Sequence, residues 1–226
     1  SRLDEAALDK VRAGRVGSFL HVAGAEPLQK LQRVAVEESR LGIPLLFAMD
    51  VVHGYRTIFP VPLAMAASFD PEVARQASRV AAVEASVSGL HWTFAPMIDI
   101  ARDARWGRVV EGAGEDPYLG ARIAVAQIEG FQTADPANPD TVLACAKHMG
   151  AYGAAIGGRD YDSAELSERT LRETYLAPFH AASHAGVGTM MTAFNDLSGV
   201  PTTGNEALVR GILREEWDYQ GLVVSD

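Results

Sequence analysis

Short apolar runs recur along this chain, and several of them deliver a polar residue at the same end. Leu45-Leu46-Phe47-Ala48-Met49 runs into Asp50, and Leu143-Ala144-Cys145-Ala146 into Lys147-His148. Thr189-Met190-Met191-Thr192 leads to Asn195, and Gly221-Leu222-Val223-Val224-Ser225 ends on Asp226. Between the runs lie segments of helical period. Near-continuous apolar strands alternating with helices imply a parallel sheet covered by helices. In a barrel of such units the C-terminal tips of the strands form the rim where chemistry sits.

The alternation can be followed residue by residue. An amphipathic helix is expected over Asp4 to Val11, then a strand over Val16–Val22. A helix follows from Pro27 to Gly42, with Leu28, Leu31, Val34 and Ala35 at helical spacing. The second strand is Leu45–Met49. Asp70-Pro71 and Asp116-Pro117 each place a capping carboxylate before a proline that suits the first helical turn, predicting helices to Gly89 and Gly130. Strands are expected at Trp92–Ala95, Val142–Ala146 and Thr189–Thr192, and a sixth closes the chain. A helix over Glu168 to His184 should break near Pro178, and Asn205 should cap another. Asp135 to Asp140, with two prolines, reads as a surface loop.

Six strand–helix units in 226 residues fall short of the eight units and about 250 residues of a complete barrel. The expected fold is therefore an α/β, TIM-like (β/α) barrel, truncated after about six units. An open doubly wound sheet is the other arrangement that this pattern permits.

A net charge of −9 argues against nucleic acid or an anionic membrane as partner. No run approaches the roughly 18 apolar residues of a membrane span. The single Cys145 permits no internal disulfide, and in an apolar run it reads as a buried, inert thiol. Among six histidines, His180 and His184 alone are one helical turn apart, without a third ligand beside them, so no metal is expected. Gly153 to Gly158 lacks the strand-to-helix context of a phosphate loop. No cofactor is expected.

The strand tips supply the candidates. A carboxylate such as Asp226 just past a buried strand can be a nucleophile, a general base or a metal ligand, or equally a helix cap or an ion-pair partner. Asp50 can accept two sugar hydroxyls through charge-assisted bonds, or cap its own turn. Lys147 and His148 can donate to a polyhydroxylated ligand, or form a structural ion pair. The segment from Arg102 to Pro117 is the densest, with three arginines, Trp106 and four acids. Most of these charges should pair with one another, leaving one arginine for a ligand.

Taken in order, Ala48-Met49-Asp50-Val51-Val52-His53-Gly54, Phe94-Ala95-Pro96-Met97-Ile98-Asp99, Arg105-Trp106-Gly107-Arg108 with Glu111-Gly112 and Glu115-Asp116-Pro117, Lys147-His148, and Gly221 to Asp226 resemble glycoside hydrolase family 3. The branch most similar is that of the bacterial periplasmic β-glucosidases. The resemblance covers nearly the whole chain. It implies that residues 1–226 are the incomplete N-terminal TIM-like catalytic barrel of a retaining β-glucosidase acting on a small β-glucoside or oligosaccharide, periplasmic or secreted. It makes Asp226 the nucleophile, and places Asp50, Arg108, Lys147 and His148 around the terminal sugar. Trp106 is expected to pack the loop rather than stack on sugar.

Retention needs a second carboxyl group about 5–5.5 Å from the first. In this branch an acid/base glutamate comes from a following α/β sandwich domain, so a C-terminal part of the same protein is the expected source, and these residues alone are expected to be inactive. That missing glutamate is the larger of two departures from the family pattern. The other is Phe194, which stands where many members carry Tyr. The loop after Lys147-His148 has Asp162-Ser163-Ala164, without the histidine of the N-acetylglucosaminidase branch, so that branch is disfavoured. A β-xylosidase or β-N-acetylhexosaminidase of the same family, a sugar-binding barrel without catalysis, and an unrelated aldolase or lyase barrel are the other readings.

Overall fold

The computed structural model describes residues 5–22, 24–135 and 137–226. Its elements are, in order, α1 (Glu5–Arg12), β1 (Ser18–Leu20), α2 (Ala25–Arg33), β2 (Leu46–Met49), α3 (Pro62–Ala66), α4 (Pro71–Val87), β3 (Trp92–Thr93) and α5 (Pro117–Gln132). They continue with β4 (Cys145–Met149), α6 (Glu168–Thr170), α7 (Ala177–His184), β5 (Thr189–Thr192), β6 (Asp196–Leu197), β7 (Val200–Pro201) and β8 (Leu222–Ser225). Wider, π-type turns prolong α2 over Val34–Glu38, join α6 to α7 over Leu171–Tyr175, and form the helical segment Ala207–Glu216 before β8.

The strands pair in parallel, β1 with β2 and β2 with β3, then β4 with β5 and β5 with β8. Single parallel bridges, Trp92 to Leu143 and Met97 to Lys147, join the two sheets. Six parallel strands thus follow one another in space as they do in sequence. The sheet curls as well. Ala48, Trp92, Phe94, Cys145 and Met191 form one buried cluster against which Leu46 and Val224, from strands far apart in the order, also pack. The Trp92 Nε1–H donates to Thr189 Oγ1 across 2.8 Å, spanning from β3 to β5. This cluster is the floor beneath the strand tips. A larger core lies on the other face, where Leu28, Leu31, Ala81, Ala85, Ile128 and Phe179 of the helices meet Phe47 and Met190 of the strands and Ala144 just before β4.

Burial is graded across the sheet. Every residue of β4 and β5 is buried, whereas β1 and β8 at its two ends mix exposed and half-buried residues. No outer neighbour pairs with β1 or β8 among the described residues.

The expected helices at Asp70-Pro71 and Asp116-Pro117 stand as read. Asp70 Oδ1 accepts from Glu72 N at 3.0 Å and Asp116 Oδ1 from Leu119 N at 2.6 Å. The expected break near Pro178 falls at Leu176, where the π-type turn hands over to α7. The first residue of the expected N-terminal helix, Asp4, and one proline of the 135–140 loop, Pro136, lie outside the described residues. The fourth strand is displaced from its expected position. It begins at Cys145 and takes Lys147 and His148 into the strand itself.

Candidate functional site

The site is built on β4. Lys147 N donates to Pro96 O at 3.1 Å and Ile98 N to Lys147 O at 2.8 Å, so the Pro96–Asp99 segment runs beside β4 as an added edge. Against β5 the pairing register shifts between Ala146 and Met149. The peptide bonds Ala95–Pro96 and Lys147–His148 are cis. Neighbours on a regular strand point to opposite faces; here, at the irregularity, Lys147 and His148 both reach groups on the strand tips.

Lys147 Nζ lies 2.7 Å from Asp50 Oδ1, with only 6% of the lysine side chain exposed. A buried ammonium needs such a partner, because isolating it from water is costly. The other oxygen of Asp50 faces His21 Nε2 at 3.2 Å. His21 follows β1, at the tip adjacent to Asp50, and is a member of the site that sequence reasoning passed over. The signal was present, a polar residue directly behind the apolar run of the first strand.

His148 is gripped from below. Asp99 Oδ2 accepts from the His148 backbone N–H and lies 2.9 Å from its Nδ1. Both side chains are almost wholly buried. A carboxylate offers only acceptors, so Nδ1 carries the proton of this bond and Nε2 is aimed at the opening. There it lies 3.6 Å from Asp226 Oδ2 and 3.4 Å from Arg108 Nη1. Asp226 follows β8, whose Ser225 pairs with Thr192 of β5.

Arg108 comes from the long loop between β3 and α5. Its Nε and Nη2 bind both oxygens of Glu111 at 2.6 and 2.8 Å, a two-pronged pair. Nη1 is left facing the site. Burial pushes the Glu111 carboxyl up, but its bonds to Arg108, aided by the charge of Lys147, outweigh this and hold it below the ordinary glutamate range. For Arg108 burial acts downward, and the Glu111 bonds reverse it, so the guanidinium is held more firmly charged than usual. Arg105 pairs instead with Asp103 at 2.6 Å on the surface. The dense segment thus resolves into exposed and half-buried pairs, with Arg108 turned inward.

Behind these groups stands an aromatic wall. Tyr152 is fully buried, edge-on to Trp106 at 4.9 Å and to His148 at 5.2 Å, with the Arg108 guanidinium 5.4 Å from its ring centre. Asp160 fastens the wall, accepting from Trp106 Nε1 at 3.0 Å and from the Tyr152 hydroxyl. Trp106, 2% exposed, packs the loop as expected. Phe194 lies against Tyr152 at 4.7 Å. Desolvation and the Asp160 bond push the Tyr152 hydroxyl well above the ordinary tyrosine range, so it stays a donor.

Of the five residues singled out, Asp50, Lys147, His148, Arg108 and Asp226 all meet at this rim. Asn195, the other strand-tip candidate, is buried, and its Nδ2 donates to Asp196 O at 2.9 Å, a local loop role. His53 is also local, its Nδ1 bonded to Phe59 O at 2.9 Å. The remaining sequence motifs explain the scaffold: Gly54 has φ +118, and a Cβ there would sit 2.0 Å from Thr57 O. Among the described residues no three His, Cys, Asp or Glu side chains are grouped to hold a metal ion, and no helix is long and apolar enough to cross a membrane. What the rim offers is one carboxylate, Asp226, with 28% of its side chain exposed and 3.6 Å from His148 Nε2, and a second, Asp50, paired with Lys147. Such a set can bind a polyhydroxylated ring and present an anion to it.

Comparison with known proteins points the same way. The family profile described as the glycosyl hydrolase family 3 N terminal domain matches residues 4–226. A periplasmic beta-glucosidase of Salmonella typhimurium is 40% identical over 222 residues, which is 98% of this chain and 29% of that protein. A beta-xylosidase of Formosa agariphila is 38% identical over 89% of this chain and 30% of its own length. The crystal structure of a beta-glucosidase from Listeria innocua superposes with a TM-score of 0.91 at 44% identity, over 93% of this chain and 29% of that one. The Listeria protein has also been solved in complex with glucose and, as a mutant, with laminaribiose. The chain thus spans about three-tenths of the length of the relatives it matches.

Proposed function

The chain belongs to glycosyl hydrolase family 3, and from that membership we propose that it forms the nucleophile-bearing barrel of a retaining β-glucosidase, which removes terminal non-reducing β-D-glucosyl residues. The observation that carries the reading is the meeting of Asp226, His148, Arg108, Lys147 and Asp50 at one rim. Asp50 accepts hydroxyl hydrogens of the terminal sugar, Lys147 and Arg108 donate to its oxygens, and His148, its Nδ1 proton held by Asp99, turns Nε2 to a sugar hydroxyl. An Asp226 oxygen bonds to the anomeric carbon as the bond to the leaving oxygen breaks. A carboxylic acid from elsewhere in the full-length protein protonates that oxygen. In the second half, the same group, now a base, takes a proton from water as water displaces Asp226. The Salmonella relative supports a periplasmic setting.

A pentoside reading is supported by the xylosidase of Formosa. Comparing aryl β-glucoside with aryl β-xyloside separates the two, because they differ by the C6 hydroxymethyl group.

The test is Asp226→Asn in the full-length protein. Turnover of aryl β-glucosides should fall by roughly 10⁴-fold or more, with an unchanged circular dichroism spectrum. Activity within about tenfold of the native protein would refute the assignment.

A further inference from the structure

The glycosidase reading leaves one prominent side chain at the site unused. Tyr161, on the loop after β4, is 70% exposed, yet its ring stacks on Phe194 with centroids 4.4 Å and planes 23° apart. One face of the ring is covered by Phe194, and the rest of the residue lies largely open to solvent. This stack is the outer end of a series. Phe194 lies 4.7 Å from Tyr152 and 6.2 Å from the His148 ring, which itself faces Asp226. The backbone beneath Tyr161 is tied down. Its neighbour Asp160 holds Trp106 and Tyr152, and Asp162 N donates to Arg159 O at 3.2 Å in the turn that contains it. Tyr161 itself has φ +67, a conformation uncommon for a bulky side chain. The loop therefore holds a large aromatic ring outward instead of burying it.

Resting on the glycosidase reading, we infer that Tyr161 is the platform for the leaving-group side of the substrate, stacking on an aryl aglycone or on the apolar face of a second sugar ring. Its position sets this class of ligand. Steps of 6.2 and 4.4 Å carry it from His148 past Phe194 to Tyr161, beyond the groups assigned to the first sugar. Rings with an apolar face gain from offset stacking on an aromatic side chain. Phe194 backs the platform with a ring that has no hydroxyl to solvate.

The full-length protein with Tyr161→Ala and with Tyr161→Phe tests this on three substrates: 4-nitrophenyl β-glucoside, laminaribiose and β-glucosyl fluoride, whose leaving group has no ring. For Tyr161→Ala, kcat/KM on at least one of the two ring-bearing substrates should fall roughly three- to tenfold, chiefly through KM. The fluoride should stay within about twofold, and Tyr161→Phe should match the native protein on all three. A loss confined to the aryl substrate assigns the platform to aryl aglycones; one confined to laminaribiose assigns it to a second sugar. An equal fall on all three substrates, or no fall on any, overturns the inference. If the native protein hydrolyses none of the three, the glycosidase reading itself fails and takes this inference with it.

Discussion

At the scale of single residues, the geometry makes Asp99 a positioning residue for His148. It touches no exposed surface, and it holds the imidazole through the backbone N–H and Nδ1 together. An Asp99→Asn change keeps the volume but allows the amide to present a donor where the ring also donates, so His148 turns or changes tautomer. In the full-length protein this should cost roughly 10–100-fold in kcat, the range seen when an orienting partner is lost, and alter the acidic or basic limb of the pH–rate profile. An unaltered profile and rate would mean that Asp99 only fills space. Sequence reading found the residue types that carry charge at strand tips, since a polar group after an apolar run is legible without coordinates. It did not find Asp99, His21 or Asp160, because their roles are set by partners 49, 29 and 54 residues away. Phe194 was read only as the loss of a hydroxyl. Its stacking on Tyr161 depends on the course of a loop that no periodicity reports.

At the scale of elements, caps and prolines were the most legible signals, and both Asp-Pro helix starts lie where they were expected. The fourth strand was misplaced because Lys147 and His148 look like a loop in a hydropathy pattern, whereas their charges are matched inside the strand by Asp50 and Asp99. The β6–β7 hairpin was missed altogether. Its strands are two residues each, and only Ser198-Gly199, both with positive φ, marked the turn. The loop bearing Arg108 makes its own prediction. Glu111 has a depressed pKa in the folded protein, so its ion pair stabilises above the unfolded glutamate pKa. That contribution is lost as pH falls through the lower, folded value. Glu111→Gln should therefore lower stability by about 1 kcal/mol near neutral pH, and by less as the solution is acidified. Denaturant titrations at pH 7 and pH 3.5 measure the difference; an equal penalty at both would contradict the assignment.

At the scale of the whole molecule, the six parallel strands were legible in the alternation, because each strand's apolar run and each helix's spacing are local properties; their order was left open between a barrel and a doubly wound sheet, and the structure has them side by side in sequence order. How the sheet's two ends are met is not local. β1 and β8 carry exposed Leu20 and Leu222, at 49% and 51%, and their outer edges are unpaired among the described residues. Open edges with apolar side chains invite pairing with another chain. A polypeptide of residues 1–226 by itself should show concentration-dependent self-association in sedimentation velocity, and Leu222→Lys should shift it towards monomer. A monodisperse monomer at high concentration would show that the edges are protected in some other way.

The central claim concerns one bond, between Asp226 and the anomeric carbon. Incubating the full-length protein with an activated 2-deoxy-2-fluoro-β-glucoside should trap the glycosyl-enzyme, and peptide mapping by mass spectrometry should place the added sugar on Asp226. A label on any other residue, or hydrolysis of β-glucosides with no trapped intermediate, would contradict the account.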